Sequence, residues 1–239
     1  MLRKLFVISL IGVVAVFLAL LIPRSTYAAP MTSHTSCTLP ESNAVSLAIL
    51  SNFYPGYWWD HTNLTIAVQA HPRVPTETVN AVRAAMATWS SVLQDCFDGA
   101  ITLTDVTGTQ PSEHRASDIV VHLGLVAGGV RFSGMAICGD HGCENIMVGS
   151  DIPPSLGPGP YSPQLVGWIA LHEIGHALGL GHATNLSEST DLMGYGWPQL
   201  GEPVLSDCDV DAIAFVFSWV FDGSAPHPPA AGPYVCSTD

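Results

Sequence analysis

Basic residues are scarce in this sequence of 239 residues: seven against 20 acidic ones, with Lys4 as the lone lysine. Arg3, Lys4 and Arg24 stand near the N-terminus, so beyond residue 28 only Arg73, Arg83, Arg115 and Arg131 remain. Four arginines against 20 acidic residues leave that part of the chain at a formal charge of −16. Nucleic acid and anionic membranes are held by clustered Lys and Arg, so neither is expected as a partner. The acidic balance suits a solvated surface and leaves calcium as a candidate ligand. No internal repeat is visible either, and one packed domain, monomeric, is the expectation.

The first 28 residues read as an export signal. Arg3 and Lys4 precede an apolar run over 5–22, and a polar break leads to the small-residue end Thr26-Tyr27-Ala28. Cleavage after Ala28 is expected, which makes the protein secreted and extracellular. An uncleaved anchor is the alternative, since 18 apolar residues lie at the lower edge of a bilayer span. The polar break favours removal, and no stable membrane association is then expected.

All six cysteines (Cys37, Cys96, Cys138, Cys143, Cys208 and Cys236) follow that segment. An even number in an exported chain implies three disulfides, although the count alone leaves most pairings open. Cys138 and Cys143 are near enough in sequence to close a small loop. A zinc site on that pair lacks a second cysteine pair at ligand spacing, so the disulfide is preferred.

Periodicity places the elements. Residues 29–58 read as an N-terminal arm rich in Ser, Thr and Pro, and 222–239 as a Pro-rich tail. Between them, 64–70, 101–106, 118–125, 134–138 and 145–148 have the apolar and β-branched content of strands. Val79, Val82, Ala85, Met86, Trp89 and Leu93 recur at three and four residues, giving a helix capped at Thr76. Ser162 and Pro163 suit the N-cap and first turn of a second helix that stops near Gly179 or Gly181. Residues 182–204 look irregular, and 206–221 read as a third helix.

The second helix carries His172-Glu173-Ile174-Gly175-His176-Ala177-Leu178-Gly179-Leu180-Gly181-His182. Residues four apart share a helix face, so His172 and His176 can point at one ion. Gly179 allows a sharp turn that brings His182 in as third ligand. Three protein ligands with one open position is the pattern of a catalytic zinc, whereas structural sites are closed by four. Glu173, one step round the helix, is placed to reach a water in the open position rather than the ion.

This segment resembles the extended zinc motif of the metzincin metallopeptidases. Met193, in Asp191-Leu192-Met193-Gly194-Tyr195, stands where that family carries its Met-turn. Outside the motif the chain looks most like the matrixin catalytic domain. The similarity runs through Trp59, Leu64-Thr65-Ile66, Ala81-Val82-Arg83-Ala84-Ala85, Trp89, Ser117-Asp118-Ile119-Val120-Val121, Leu205-Ser206, Asp209 and Ala212-Ile213. The resemblance implies an α+β metzincin (zincin-like) fold over 59–221: a twisted, mostly parallel sheet of about five strands, an antiparallel edge strand and three helices. It implies one catalytic zinc on His172, His176 and His182, with Glu173 as general base for peptide hydrolysis. The edge strand of Gly134, Met135, Ala136 and Ile137 would bind an extended protein or peptide substrate. Tyr195 matches the Met-x-Tyr spacing of astacins and serralysins, where the tyrosine lies near the metal.

The chain also departs from matrixins. It has no Pro-Arg-Cys-Gly switch. Cys37 could imitate one only by leaving another cysteine unpaired. No histidine-rich second zinc loop is recognisable around Asp140, His141 and Asp151, and the stretch from His182 to Met193 is longer than in matrixins. Two rival functions stand beside the peptidase: a zinc hydrolase of a non-peptide amide, and a non-catalytic secreted binding module. The intact Glu173 argues against the second, since a structural zinc has no use for a base.

Overall fold

A computed structural model describes residues 37–42, 44–52, 57–108, 117–124, 134–139, 142–151, 159–184, 190–194 and 201–236. The expected export segment and Tyr195 lie outside them. Five strands form the main sheet: β2 (Asn63–Ala70), β3 (Thr102–Asp105), β4 (Ile119–Gly124), β5 (Gly134–Gly139) and β6 (Gly142–Gly149). Their order is β3-β2-β4-β6-β5. All neighbours run parallel except β5, the antiparallel edge strand, which pairs with β6. The chain is therefore α+β with the expected sheet. Alternation drives it: β2 buries Leu64, Ile66 and Val68 and β4 buries Ile119, Val121 and Leu123, with the intervening residues turned to the other face.

Helix α1 (Thr76–Phe97) buries Val82, Met86, Trp89 and Leu93 along one stripe. It begins at Thr76 with Pro75 in the cap position, one residue from the expected cap. Helix α2 (Pro163–Ala177) starts as expected, with the Ser162 hydroxyl accepting the Leu165 amide at 3.2 Å. The Trp89 indole N–H donates to the Leu171 carbonyl at 2.9 Å, joining the two helices. The third helix opens on a capping box of Ser206 and Asp209 as α3 (Asp207–Val216). It then breaks at the fully buried Phe217 (φ −100°, ψ 29°) and resumes as α4 (Ser218–Asp222).

The arm and the tail each contribute a strand. β1 (Ser46–Ile49), β7 (Leu180–Ala183) and β8 (Tyr234–Val235) form a second sheet in the order β7-β1-β8. Segments that read as arm, irregular loop and tail thus meet, because their hydrogen-bond partners lie far away in sequence. The bridges are Cys37–Cys96, Cys138–Cys143 and Cys208–Cys236. Among the described residues no helix is long and apolar enough to cross a membrane.

Candidate metal centre

A helix end leaves carbonyls without intrahelical partners. At the end of α2 these are taken up by two aromatic side chains: the Tyr57 hydroxyl donates to the carbonyls of His176 (3.0 Å) and Ala177 (2.5 Å), and the Trp59 indole to Ala177 (2.8 Å). Gly179 then adopts φ +107°, in the left-handed region, and the chain turns into β7. Neither aromatic cap announces itself in the sequence, since nothing in Tyr57 or Trp59 names a carbonyl 118 to 120 residues away.

That turn brings His172, His176 and His182 together, with their ligand atoms all within 4.8 Å of one another. His172 Nδ1 meets the Leu192 carbonyl at 2.6 Å and His176 Nδ1 meets the Leu180 carbonyl at 2.7 Å. A carbonyl only accepts, so both rings carry their proton on Nδ1, which makes Nε2 the nitrogen able to ligate a metal. His176 Nε2 and His182 Nε2 stand 3.1 Å apart. Two nitrogens on one tetrahedral zinc, each at roughly 2.0–2.1 Å, would be spaced by about 3.4 Å. Burial lowers all three histidines: His172 well below its ordinary value, His176 below it, and His182 to about 4. They stay neutral at physiological pH, which is the form that binds metal. The donor set fits zinc. Among the described residues no second group of three His, Cys, Asp or Glu ligand atoms lies this close.

Glu173 is buried beside this trio, and its Oε2 has no protein hydrogen-bond partner. The Ala136 amide on β5 hydrogen-bonds the carboxylate, yet burial outweighs that contact and pushes Glu173 up to about 8. Met193 is fully buried beneath α2. A Cβ at Gly175 would stand 2.5 Å from its sulfur, so the helix can rest on Met193 only because glycine is there. The Met193 carbonyl accepts from the Ala183 amide at 3.0 Å, which joins the turn to β7. Asp191 anchors it from behind, accepting from the Met193 amide (3.1 Å), the Ser42 hydroxyl (2.6 Å) and the Ser206 hydroxyl (2.9 Å).

No protein-family model matches the chain. Over 147 residues, 52% of the chain, it is 32% identical to matrix metalloproteinase-23 of Homo sapiens. This partial match and the three convergent histidines agree with the metzincin resemblance of the sequence. The chain spans 35% of that relative's length. Among solved structures it is similar to archaemetzincin from Methanopyrus kandleri, at 18% identity and a TM-score of 0.42, covering 64% of this chain and 94% of that one. Myroilysin is similar at 14% identity and a TM-score of 0.33, covering 86% of this chain and 80% of that one.

At this site the edge strand approaches Glu173 more closely than sequence reading foresaw. A Cβ at Gly134 would lie 2.5 Å from Glu173 Oε1 and 2.6 Å from the Ile169 side chain. Gly134→Ala is expected to push the carboxylate aside, and if the site hydrolyses peptides, to lower their turnover by roughly 10²-fold. Unchanged turnover in that variant would show that the strand yields instead of the acid. Met135 and Ile137 on the same strand are exposed, whereas Gly134 and Ala136 face the acid from its other side.

Proposed function

We propose that the chain is a secreted zinc-dependent endopeptidase of matrixin-like type. The observation that carries this is a buried carboxylate oxygen, Glu173 Oε2, without a protein partner beside three convergent imidazoles. A purely structural zinc site gains nothing from such a group, because burying an unpartnered carboxylate oxygen only costs stability.

Zinc, when bound by His172, His176 and His182, supplies a Lewis acid that polarises a peptide carbonyl and acidifies water. Glu173 takes the proton from the attacking water and passes it to the leaving amine. Bound zinc would favour the ionised carboxylate over the acid that burial alone favours, so Glu173 would stand ready to take that proton. The Ala136 amide holds the carboxylate in place. β5 takes the substrate as an added extended strand along Gly134, Met135, Ala136 and Ile137. Tyr195, two residues past Met193, is the proposed donor to the oxyanion. Three disulfides in the described chain agree with an oxidising compartment.

A casein or gelatin zymogram tests the reading. Clearing is expected, lost with a zinc chelator and restored by added zinc. Clearing that ignores the chelator, or none with zinc bound, would sink it.

A further inference from the structure

We propose that β1, from the N-terminal arm, is the positioning strand of the third histidine. The inference rests on His172, His176 and His182 holding zinc. Two of these ligands come from one helix, so α2 alone sets their spacing. His182 is different. It lies on β7, a four-residue strand that follows a glycine turn and pairs with no strand of the main sheet. A ribbon that short does not hold its own place in water.

β1 supplies what is missing. Its register sets Leu47 against Ala183 and Ile49 against Leu180, with an irregularity between them, opposite Gly181 and His182. The Leu50 amide donates to the Gly179 carbonyl at 3.1 Å, and the Thr184 amide to the Ser46 carbonyl at 2.9 Å. Thr184 Oγ1 accepts the amides of Val45 (3.1 Å) and Ser46 (3.0 Å). Both ends of the ligand-bearing strand are therefore tied to the arm.

The approach is tight one residue before the ligand. A Cβ at Gly181 would stand 2.5 Å from the Ala48 carbonyl oxygen and 2.7 Å from the Ala48 Cβ. Gly181 is not among the glycines with positive φ, so β1, not backbone conformation, demands glycine there. β1 is in turn fixed on its far side. Leu47 and Ile49 are fully buried, β8 pairs along Ser46 and Leu47, and Cys208–Cys236 ties β8 to α3. Cys37–Cys96 anchors the arm to α1. The arm thus acts through His182, without touching the reacting atoms.

The test uses the full chain with its disulfides intact. Zinc affinity is read by competition with a chromophoric chelator, and coordination by the visible absorption of the cobalt-substituted protein. Gly181→Ala is expected to weaken zinc binding by roughly 10- to 100-fold. Its cobalt spectrum should weaken towards that of a six-coordinate, water-rich ion. Ala48→Gly in the same chain relieves one of the two contacts and should recover part of the loss. Thr184→Val keeps the side-chain shape and removes the acceptor, so it serves if Gly181→Ala does not fold; a loss of roughly fivefold is expected. Leu103→Ala, in the buried core at the opposite edge of the main sheet, should lower Tm and leave zinc affinity alone. Parent-like affinity in folded Gly181→Ala, or an equal loss in Leu103→Ala, overturns the role of β1. A parent chain that binds neither zinc nor cobalt overturns the zinc reading, and this one with it.

Discussion

Glu173→Ala is expected to keep close to one zinc per chain while losing turnover by at least ~10²–10⁴, the range typical of a missing general base. The metal should stay because its three ligands and the carbonyls that orient two of them are untouched by the change. Zinc content by elemental analysis and kcat on a peptide substrate check the two halves separately. Full turnover with metal bound would remove Glu173 from the chemistry. Loss of metal along with turnover would instead make the acid part of the ligand set, contrary to its position off the histidine face.

The same residue gives a second, thermodynamic expectation for the metal-free protein. An unfolded glutamate ionises near 4.5, whereas burial holds folded Glu173 protonated up to about 8. A pKa raised by folding means that stability is greatest below 4.5 and falls as pH climbs through that window. For Glu173 the loss is on the order of 4 kcal/mol by pH 8, with no further change above. Glu173→Gln has no such proton to lose. Its stability relative to the parent should be flat below pH 4.5, rise between 4.5 and 8, and level off beyond. The three histidines pull the other way: lowered by burial, they favour the folded state above 6.5 and oppose it as pH falls. They are present in both proteins and cancel in the difference. Urea unfolding of the two chelated proteins from pH 4 to 9 measures it, and parallel profiles would falsify the assignment. Bound zinc favours the carboxylate, so the gap should narrow in the loaded protein.

The parts legible in the sequence are those whose cause is local. His172 and His176 could be placed together because helical spacing is short-range, and Ser162-Pro163 marks a helix start within four residues. β2 and β4 show alternation long enough to count. What escaped was non-local. β1 and β7 have four residues each and β8 two, too few for a period to register, and each exists only through a distant partner. The carbonyls of Leu180 and Leu192 fix the histidine tautomers, but every residue has a carbonyl. Gly134 likewise looks like any strand glycine until Glu173 is seen against it. Of the disulfides, only Cys138–Cys143 could be named in advance, because its ends are five residues apart; the other two span 59 and 28.

The β7-β1-β8 sheet also bears on the order of events in time. Ser46 and Thr184, which meet at the end of the β1–β7 pairing, are 138 residues apart. Contacts of that span form late, because the chain must close a long loop before any bond offsets the lost entropy. α2 can present two histidines as soon as it packs, whereas the third arrives only after the first and last strands have come home. Full-strength metal uptake is therefore expected to follow the pairing of β1 with β7. A chain still in transit, with β8 unplaced, would carry a half-built metal centre, and the proposed activity would wait for the last strand.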